Sequence, residues 1–444
     1  MTDCLWFEGI PRPRRPPLPG DTEADVAVVG AGFTGLWTAY YLKELDPALD
    51  VLLIEADHPG AGASGRNGGW CSAYLPTGLS TLARRHGREA AIALQRAAIG
   101  AVDEIGAVVA REAIACDWSR DGTLLLARNA PQRARLAQRM SEQREFGFGE
   151  EWSDVDPLTL RTPGLLAASF TRHCAAIQPA KLATGLADAV ARRGVRIAED
   201  TRALRISPGQ VRTDHGTVRA GTVVRATEAY TCSLGGLGRT VLPLFSRVIA
   251  TGPIPSATWE QLGWPGRATM SDLRFDFPYL QRTADDRLVI GGCGVGYRYG
   301  SGLRPDPARE RAVTEVLRRA AGELFPELAQ AEVSHAWSGV LGAYRNWEPR
   351  VSYDRSTGLA SAGGYVGDGV ALSNLAGRTL AALITGTGDP LCWAGPPARK
   401  WEPEPFRSLA VGAMAWIADS ADRHEDATGR PARLRAGIAN GMLG

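Results

Sequence analysis

Three glycines and one acid near the N-terminus have the spacing most clearly associated with chemistry. Gly30, Gly32 and Gly35 follow an apolar run at 26–29, and Glu55 lies twenty residues after Gly35, at the end of a second apolar run. Such glycines permit a tight turn, close approach of the backbone to a pyrophosphate and close packing of helix on strand. The helix N-terminus presents free N–H groups to phosphates, and Glu55 can accept a hydrogen bond from a ribose hydroxyl. The pattern predicts a bound dinucleotide, with FAD and NAD both open.

A second glycine-rich segment, at 60–69, bears on that choice. It reads Gly-Ala-Gly-Ala-Ser-Gly-Arg-Asn-Gly-Gly, and small residues in succession let the backbone lie directly on a flat, bulky ligand. Ser64 can bind a phosphate or ribose oxygen, and Arg66 can neutralise charge. A flexible linker is the alternative, which the Arg66 and Asn67 pair among the glycines disfavours. Because an NAD domain would usually continue with short βα units, the segment favours FAD.

The bulk composition excludes several classes of function. The 444 residues carry a formal net charge of +2, which gives no basis for binding nucleic acid or an anionic membrane. Seven cysteines are scattered without C-x-x-C spacing and six histidines do not cluster, so we expect neither a disulfide framework nor a metal site. We find no apolar run of the roughly 18 residues that a membrane span needs, and no signal peptide at the N-terminus. We therefore expect a cytoplasmic protein.

Helices and strands alternate along the chain, and their order predicts how these residues are positioned. Residues 25–55 form a strand–helix–strand unit. Apolar spacing and helix-end signals predict further helices at 81–115, 131–146, 179–193, 306–324, 370–385 and 400–424. Strands separated by turn residues occupy much of 195–227 and 240–300. This length predicts two domains, and the interleaving of the segments argues against a single cut point.

Several motifs together resemble those of the FAD-dependent amine and amino-acid oxidoreductases of the D-amino-acid oxidase/glycine oxidase superfamily, and most closely its gamma-glutamylputrescine oxidoreductase-like branch. The resemblance covers nearly the whole chain. The motifs that carry it lie at 26–55, 62–69, 223–230, 279–292, 335–339, 364–378 and 401–405. Two positions depart from the family pattern: Glu228 replaces the usual Asn, and Asp368 stands where related sequences often have His.

The resemblance implies an α/β fold, with a Rossmann-like FAD-binding domain of the glutathione-reductase type and an interleaved α+β substrate domain built on antiparallel sheet. We expect the FAD-binding domain in three pieces, at 1–85, 150–240 and 335–390. The substrate domain is expected at 86–149 and 241–334, and a C-terminal helical segment at 391–444.

The expected cofactor is FAD, bound noncovalently because Cys71 and Cys293 match no attachment motif. Ala203 would touch the adenine through its backbone, with ordinary strand pairing as the alternative. The helix N-terminus at 367–370 would face the flavin, and Asp368 could serve there or be a simple N-cap. The residues expected to bind FAD are Gly30, Gly32, Phe33, Thr34, Gly35, Glu55, Ala56, Ser64, Arg66, Asn67, Gly68, Gly69, Ala203, Ala226, Thr227, Gly339, Gly364, Gly367, Asp368, Gly369 and Val370.

The resemblance further implies oxidation of a small primary or secondary amine or amino acid. The carbon bearing the amine would lose a hydride to the flavin, the imine would hydrolyse, and oxygen or another acceptor would take the electrons. Four side chains are candidates for the catalytic site: His335 as a base, Tyr279 and Tyr365 as pocket walls, and Arg282 as a partner for a substrate carboxylate. Each also has a purely structural explanation, as a core histidine, a core tyrosine or a surface ion pair.

Two other functions remain open from the sequence. A flavin monooxygenase-type enzyme of a specialised pathway could carry the Gly-Asp pair at 367–368, although that motif normally continues into a different context from 374–378. A noncatalytic or NAD-binding Rossmann protein is the third possibility. The particular amine, any catalytic base and the oligomeric state stay open.

Overall fold

The elements of the fold are given by a computed structural model that describes residues 4–388 and 391–432. Residues 433–444 of the predicted C-terminal segment, and residues 1–3 and 389–390 of the predicted FAD-binding pieces, lie outside this part. The helices are α1 (Phe33–Leu45), α2 (Leu79–His86), α3 (Arg88–Arg111), α4 (Ala130–Glu145), α5 (Pro179–Arg192), α6 (Ser256–Leu262), α7 (Pro307–Leu324), α8 (Gly369–Thr385) and α9 (Phe406–Thr428).

The strands fall into two large sheets and one small pair. They are β1 (Thr22–Val29), β2 (Val51–Ile54), β3 (Trp70–Ser72), β4 (Thr123–Ala127), β5 (Ser153–Val155), β6 (Ala167–Thr171), β7 (Cys174–Ala176), β8 (Arg196–Ala198), β9 (Ala203–Ser207), β10 (Gln210–Thr213), β11 (Thr217–Arg225), β12 (Leu242–Pro253), β13 (Thr269–Asp272), β14 (Pro278–Arg282), β15 (Arg287–Gly296), β16 (Val333–Ala343), β17 (Arg350–Asp354) and β18 (Leu359–Gly363).

The first sheet holds the glycine turn. Its strand order is β17-β18-β11-β1-β2-β8, and the pairings from β18 to β8 are parallel, with β17 antiparallel at one edge. The antiparallel strands β10 and β9 branch from β11. Parallel strands end at the same edge of a sheet, so Gly30 after β1, Glu55 after β2 and Ala226 after β11 come together there.

Helix α1 is buried along nearly its whole length, because α5 and α8 enclose it against the first sheet. Trp37 and Tyr40 are fully buried within the core that these elements share. Gly377 of α8 allows the close approach of α8 to α1, since a Cβ there would lie 2.6 Å from Cβ of Trp37. The crossing of α1 and α8 therefore places the two helix N-termini, at Phe33 and Gly369, along one side of the sheet edge.

The second sheet has the order β16-β12-β15-β14-β13-β4-β6-β5 and is antiparallel except where β13 pairs with β4. Helices α6 and α7 cover one face, where Trp259, Leu317 and Phe325 are buried. On the other face the N-terminal segment contributes Trp6, whose ring meets that of Trp337 edge-on at 5.9 Å. Strand β16 is an edge strand, and it faces the elements that end at the glycine turn.

Most of the predicted helices are confirmed, and two differ at their bounds. The helix predicted at 81–115 is two helices, because Gly87 adopts a φ of +95° that a right-handed helix cannot contain. The terminal helix predicted at 400–424 begins only at Phe406 and ends at Thr428. Within 195–227, where several strands separated by turns were predicted, the residues Thr217–Arg225 form the single strand β11.

Sheet membership differs in places from the predicted domain ranges. Strands β5 and β6, which fall inside the predicted FAD-binding piece 150–240, belong to the second sheet, and so does β16, although its residues from 335 onwards were assigned to the piece 335–390. Helix α3, which falls inside the predicted substrate piece 86–149, shares a core with α1 and α8. The chain thus crosses between the sheets at more points than the predicted domain ranges indicated. The domain boundaries themselves stay a prediction.

Three further features bear on the classes of function. Over the described ranges, no helix is long and apolar enough to cross a membrane. The same residues contain no group of three or more His, Cys, Asp or Glu side chains placed to hold a metal ion. None of the seven cysteines, all of which lie in the described ranges, forms a disulfide.

The crossing of α1 and α8 generates a stability prediction. We expect Gly377→Ala to lower the free energy of unfolding by about 1–3 kcal/mol, because the added methyl must displace the Trp37 backbone or open the crossing. The matched control is Gly100→Ala in α3, where a Cβ meets nothing within 4 Å. It should raise stability by about 0.5–1 kcal/mol. Urea unfolding followed by circular dichroism measures both, and equal effects of the two changes would contradict the proposed tight crossing.

Candidate active site

The glycine turn is closed by backbone contacts on three sides. Gly30 N donates to Ile54 O at 2.8 Å, and Ala226 N donates to Val29 O at 2.9 Å. Gly30 has a φ of +103°, and a Cβ there would lie 2.6 Å from Ala226 O. At Gly35 a Cβ would lie 1.9 Å from Gly30 O. Side chains therefore do not fit at these two positions, and the turn exposes backbone at the start of α1.

Glu55 lies at the end of β2, where its carboxylate is braced by the backbone. Its Oε2 accepts from Ala31 N at 2.7 Å and its Oε1 accepts from Asp57 N at 3.0 Å. Burial raises the pKa of Glu55, while these hydrogen bonds act in the opposite direction. Each oxygen keeps a further lone pair, so the carboxylate can still accept a hydrogen bond from a ribose hydroxyl.

The second glycine-rich segment is tied to the N-terminus of α1. Ser64 Oγ accepts from Phe33 N at 2.8 Å, which satisfies one of the free amides of that helix. A Cβ at Gly32 would lie 2.9 Å from the same hydroxyl oxygen. Within the segment, Asn67 Nδ2 donates to Ser64 O at 2.7 Å, and Asn67 Oδ1 accepts from Gly69 N at 2.8 Å. These bonds brace the segment, in contrast to the flexible linker weighed as its alternative.

Two tryptophans hold the same segment against the second sheet. Trp337 Nε1 donates to Arg66 O at 2.8 Å, and Trp6 Nε1 donates to Asn67 O at 2.7 Å. The segment is thus fixed from the α1 side by Ser64 and from the sheet side by two indoles. This arrangement leaves a continuous opening between the first sheet and strand β16.

That opening is a cavity of about 670 Å³, here called the main cavity. Of the residues expected to bind FAD, those that line it are Gly30, Gly32, Phe33, Thr34, Glu55, Ala56, Ser64, Arg66, Asn67, Ala203, Ala226, Thr227, Gly367, Gly369 and Val370. Those that do not line it are Gly35, Gly68, Gly69, Gly339, Gly364 and Asp368. Gly35, Gly68 and Gly69 instead make room for neighbours, since a Cβ would strike Gly30, Tyr279 or Gln281.

Of the four candidate catalytic side chains, Tyr365 is the one that lines the main cavity. Its hydroxyl shares a hydrogen bond of 2.9 Å with Thr34 Oγ1, so it joins the start of α1 to the segment before α8. Burial raises the pKa of Tyr365 well above its usual value. The phenol therefore stays protonated and contributes a hydrogen bond and a wall.

The other three candidates lie away from the main cavity. His335 approaches Ser334 Oγ through Nδ1 at 2.9 Å and Glu8 through Nε2 at 3.4 Å. Tyr279 packs against Gly68 and lies 3.4 Å from Ser246 Oγ, and burial raises its pKa to about 12.

Arg282 is held by its own neighbours. It forms an ion pair with Asp286 at 2.6 Å and lies 4.8 Å from the ring centre of Trp259. For all three, the contacts match the structural explanations that were weighed for each, and their catalytic roles stay predictions that this geometry does not favour.

Asp368 immediately precedes α8 but does not cap it, since its side chain accepts no hydrogen bond from the first turn of the helix. Ser72 Oγ donates to its Oδ1 at 3.5 Å instead. Burial raises the pKa of Asp368 to about 7, which the charge of Arg139 partly offsets. The N-cap interpretation is therefore wrong, and Gly367 and Gly369 bring the start of α8 to the cavity through backbone alone.

Glu228 is a lining residue that the motif pointed to only as a departure from the family pattern. Its Oε2 accepts from Gly364 N at 2.9 Å, and its Oε1 accepts from Gly342 N at 3.3 Å. One carboxylate thus joins β16 of the second sheet to the segment that leads into α8. Burial raises its pKa to about 7, with the backbone hydrogen bonds and Arg225 acting in the opposite direction.

Sequence reasoning missed a second polar group in the cavity wall, formed by Arg247, Glu310 and Ser338. Arg247 Nη1 donates to Glu310 Oε2 at 2.9 Å. The one available signal was a charged residue inside the apolar run at 242–250, which reads Leu-Pro-Leu-Phe-Ser-Arg-Val-Ile-Ala. Its partners lie 63 and 91 residues further along the chain, beyond the reach of any local pattern.

The main cavity fits a dinucleotide. Backbone without side chains lines it at Gly30 and Gly32, next to the N-terminus of α1, where N–H groups and partial positive charge favour a pyrophosphate. A braced carboxylate at Glu55 lies at one end, and the start of α8 lies further along. Sheet topology and cavity together define a dinucleotide-binding protein of the α/β class.

Comparison with known proteins gives the family. Residues 25–383 match the model of the DAO family, described as FAD dependent oxidoreductase. The chain belongs to this family, and FAD is its cofactor. The α/β fold and the family expected from the motifs are thereby confirmed.

Individual relatives agree with this assignment. The chain is 30% identical over 379 residues to the gamma-glutamylputrescine oxidoreductase of Escherichia coli, which covers 82% of this chain and 84% of the relative. It is 28% identical over 390 residues to the probable oxidoreductase OrdL of Haemophilus influenzae, covering 85% and 86%. The crystal structure of glycine oxidase from Geobacillus kaustophilus superposes with a TM-score of 0.69 at 22% identity, covering 83% of this chain and 96% of that one. That likeness shows the fold.

The raised pKa of Glu228 generates a prediction about stability and pH. Because its folded-state pKa of about 7 lies above the ordinary value of 4.5, the folded protein binds more protons than the unfolded chain between these pH values. The contribution of Glu228 to the free energy of unfolding should therefore fall as the pH rises from about 4.5 to 7. Glu228→Gln cannot ionise, so its stability relative to wild type should rise over this window, by at most about 1.4 kcal/mol per pH unit.

Urea unfolding at a series of pH values measures this difference. Glu89→Gln, on the exposed side of α3, is the control for exchanging a carboxylate for an amide. Parallel pH profiles for wild type and Glu228→Gln would show that the carboxyl group of Glu228 is not perturbed in this way.

Proposed function

We propose that this protein oxidises a small primary or secondary amine or amino acid with FAD as its redox cofactor. The observation that carries the proposal is the continuity of the main cavity, which runs from the glycine turn past the start of α8 to the charged side chains Arg247 and Glu310. The cofactor and an ionic substrate can therefore share one enclosure. An amine or amino acid is supported as the substrate by the names of two similar proteins. One is a gamma-glutamylputrescine oxidoreductase, and the other is a glycine oxidase.

The chain's own residues would hold FAD along the first sheet. The backbone at Gly30 and Gly32 and the N-terminus of α1 would bind the pyrophosphate, and Glu55 would accept from the adenosine ribose. Ala203 lines the cavity beyond Glu55 and would contact the adenine. The braced segment containing Asn67 would lie against the flavin.

At the reacting end, the protein supplies position and electrostatics. When bound, FAD provides a hydride acceptor for the carbon that bears the amine, and the resulting imine hydrolyses in water. The start of α8 faces the cavity through Gly367 and Gly369, and its partial positive charge stabilises negative charge that develops nearby. Tyr365, kept protonated by burial, fixes the wall between α1 and α8.

An anaerobic screen tests the proposal. We expect the yellow holoenzyme to be bleached by members of a panel of polyamines, N-methyl amino acids and D-amino acids, without NADPH, because the amine itself is the reductant. Absorbance in the flavin bands measures the reaction. If every amine fails and the flavin is bleached only by NADPH, the enzyme is a monooxygenase-type flavoprotein and the proposal is wrong. Readmitting oxygen then tests whether oxygen or another acceptor takes the electrons.

Attachment of the cofactor generates a separate prediction. We expect acid denaturation to release all of the FAD into the supernatant. Cys71 and Cys293, the two thiols weighed for attachment, do not line the main cavity, and burial raises the pKa of both so that they stay protonated and unreactive. Cys4 does line the cavity, so flavin retained by the protein would point to that thiol. Absorbance of the supernatant and of the precipitated protein measures the distribution. Flavin that stays with the washed precipitate would establish a covalent bond.

A further inference from the structure

Three side chains of the main cavity wall, Arg247, Glu310 and Ser338, form a group together with Thr314 behind them, here called the arginine cluster. Arg247 lies on β12 and is paired in register with Ser338 on β16, and Glu310 and Thr314 lie one turn apart on α7. Arg247 Nη1 donates to Glu310 Oε2 at 2.9 Å, and Nε donates to Thr314 Oγ1 at 3.1 Å. Ser338 Oγ donates to Glu310 Oε1. Three elements therefore hold the guanidinium in one orientation.

The cluster has more donors than its own acceptors use. An arginine has five N–H donors, and among the hydrogen bonds of the described chain none involves Nη2 of Arg247. Both oxygens of Glu310 are already engaged, by Arg247 and by Ser338. Nη2 of Arg247 is therefore a charged hydrogen-bond donor whose protons are not used within the described chain, which suits an anion.

The surroundings of the cluster make such a donor effective. The side chains of Arg247 and Glu310 are only 13% and 18% exposed, and burial lowers the pKa of Arg247, although a guanidinium keeps its proton. Phe245, Leu303 and Val340 line the adjoining wall and exclude water. A charge-assisted hydrogen bond formed there is stronger than one formed in water.

The arginine cluster and the second glycine-rich segment lie on opposite faces of the second sheet. Strand alternation places Arg247 and Ser338 on the face of the second sheet that α7 covers, whereas Val248 and Trp337 face the other side, where Trp337 holds Arg66. The cavity passes the edge strand β16 between these two places. A ligand that reaches both must be extended, with an apolar portion beside Phe245 and Val340.

We propose that Arg247 binds a carboxylate of the substrate, and that the substrate class is an amine whose carboxylate is separated from the reacting carbon by an apolar chain. Glu310, Thr314 and Ser338 act as positioning residues that orient the guanidinium. Planar guanidinium and carboxylate groups match in shape, and the free Nη2 donors supply the contact. This inference rests on the proposed amine oxidation and specifies the substrate for it.

Paired substrates test the inference on the holoenzyme. Anaerobic flavin reduction is followed with 6-aminohexanoate and with hexylamine, which differ in the carboxylate. We expect wild type to be half-saturated by 6-aminohexanoate at a concentration about 10- to 100-fold lower than for hexylamine. Arg247→Met should lose that preference, so that 6-aminohexanoate and hexylamine half-saturate the variant at similar concentrations. An unchanged preference would overturn the inference.

Two variants guard against a trivial loss of structure. Arg247→Met leaves Glu310 without its cation, so the double variant R247M/E310Q removes both charges and avoids an unpaired buried carboxylate. Arg287→Met is the matched control, because Arg287 is 18% exposed and pairs with Asp285 at 2.7 Å but does not line the main cavity. It should keep the preference for 6-aminohexanoate.

A binding measurement separates this inference from the proposed function. Titration calorimetry with hexanoate and hexanamide, which cannot be oxidised as amines, should show hexanoate binding to the wild-type holoenzyme about tenfold or more tightly than hexanamide. The double variant should lose the difference. If no amine reduces the flavin but hexanoate binds through Arg247, amine oxidation is wrong and the carboxylate site stands. Equal binding of hexanoate by wild type and double variant would overturn the carboxylate site.

Discussion

The main cavity depends on the close approach of three backbone segments at Gly30. Strand β1 lies between β2 and β11, and its end is tied to both, by Gly30 N donating to Ile54 O and Ala226 N donating to Val29 O. No side chain fits at Gly30 or at Gly35. A Cβ at Gly30 would lie 2.6 Å from Ala226 O, and a Cβ at Gly35 would lie 1.9 Å from Gly30 O. Any side chain there would push β11 or α1 outward and remove the exposed backbone that we propose binds the pyrophosphate.

The second requirement is a stable junction between the two sheets. Trp337 and Trp6 donate from the sheet side to the backbone carbonyls of Arg66 and Asn67, and Glu228 accepts from Gly342 and Gly364. These contacts set the width of the cavity along strand β16. Glu228 affects the junction between the sheets most directly. Two backbone amides hold its carboxylate. Because its pKa is about 7, its charge changes within the neutral range.

Burial also affects the charged side chains of the cavity wall, Arg247 and Glu310. An ion pair such as Arg247 and Glu310 costs desolvation energy that its own attraction only partly offsets. Arg282 differs in this respect, because its partner Asp286 lies four residues away and Trp259 covers its guanidinium, which satisfies it locally.

The amino-acid sequence by itself determined the family, the cofactor and the framework that holds it. The motif at 26–55 and the segment at 60–69 could be interpreted because their requirements are local: a glycine turn, a helix N-terminus and an acid at a fixed spacing. The helix break at Gly87 and the lining of the reacting end were decided by tertiary structure. Strand alternation faces Arg247 into the cavity, whereas local contacts hold His335, Tyr279 and Arg282 away from it, and the partners of Arg247 come from helix α7 and strand β16. Which face a strand residue presents, and which distant residue meets it there, depend on packing between elements, and packing leaves no signature in local spacing.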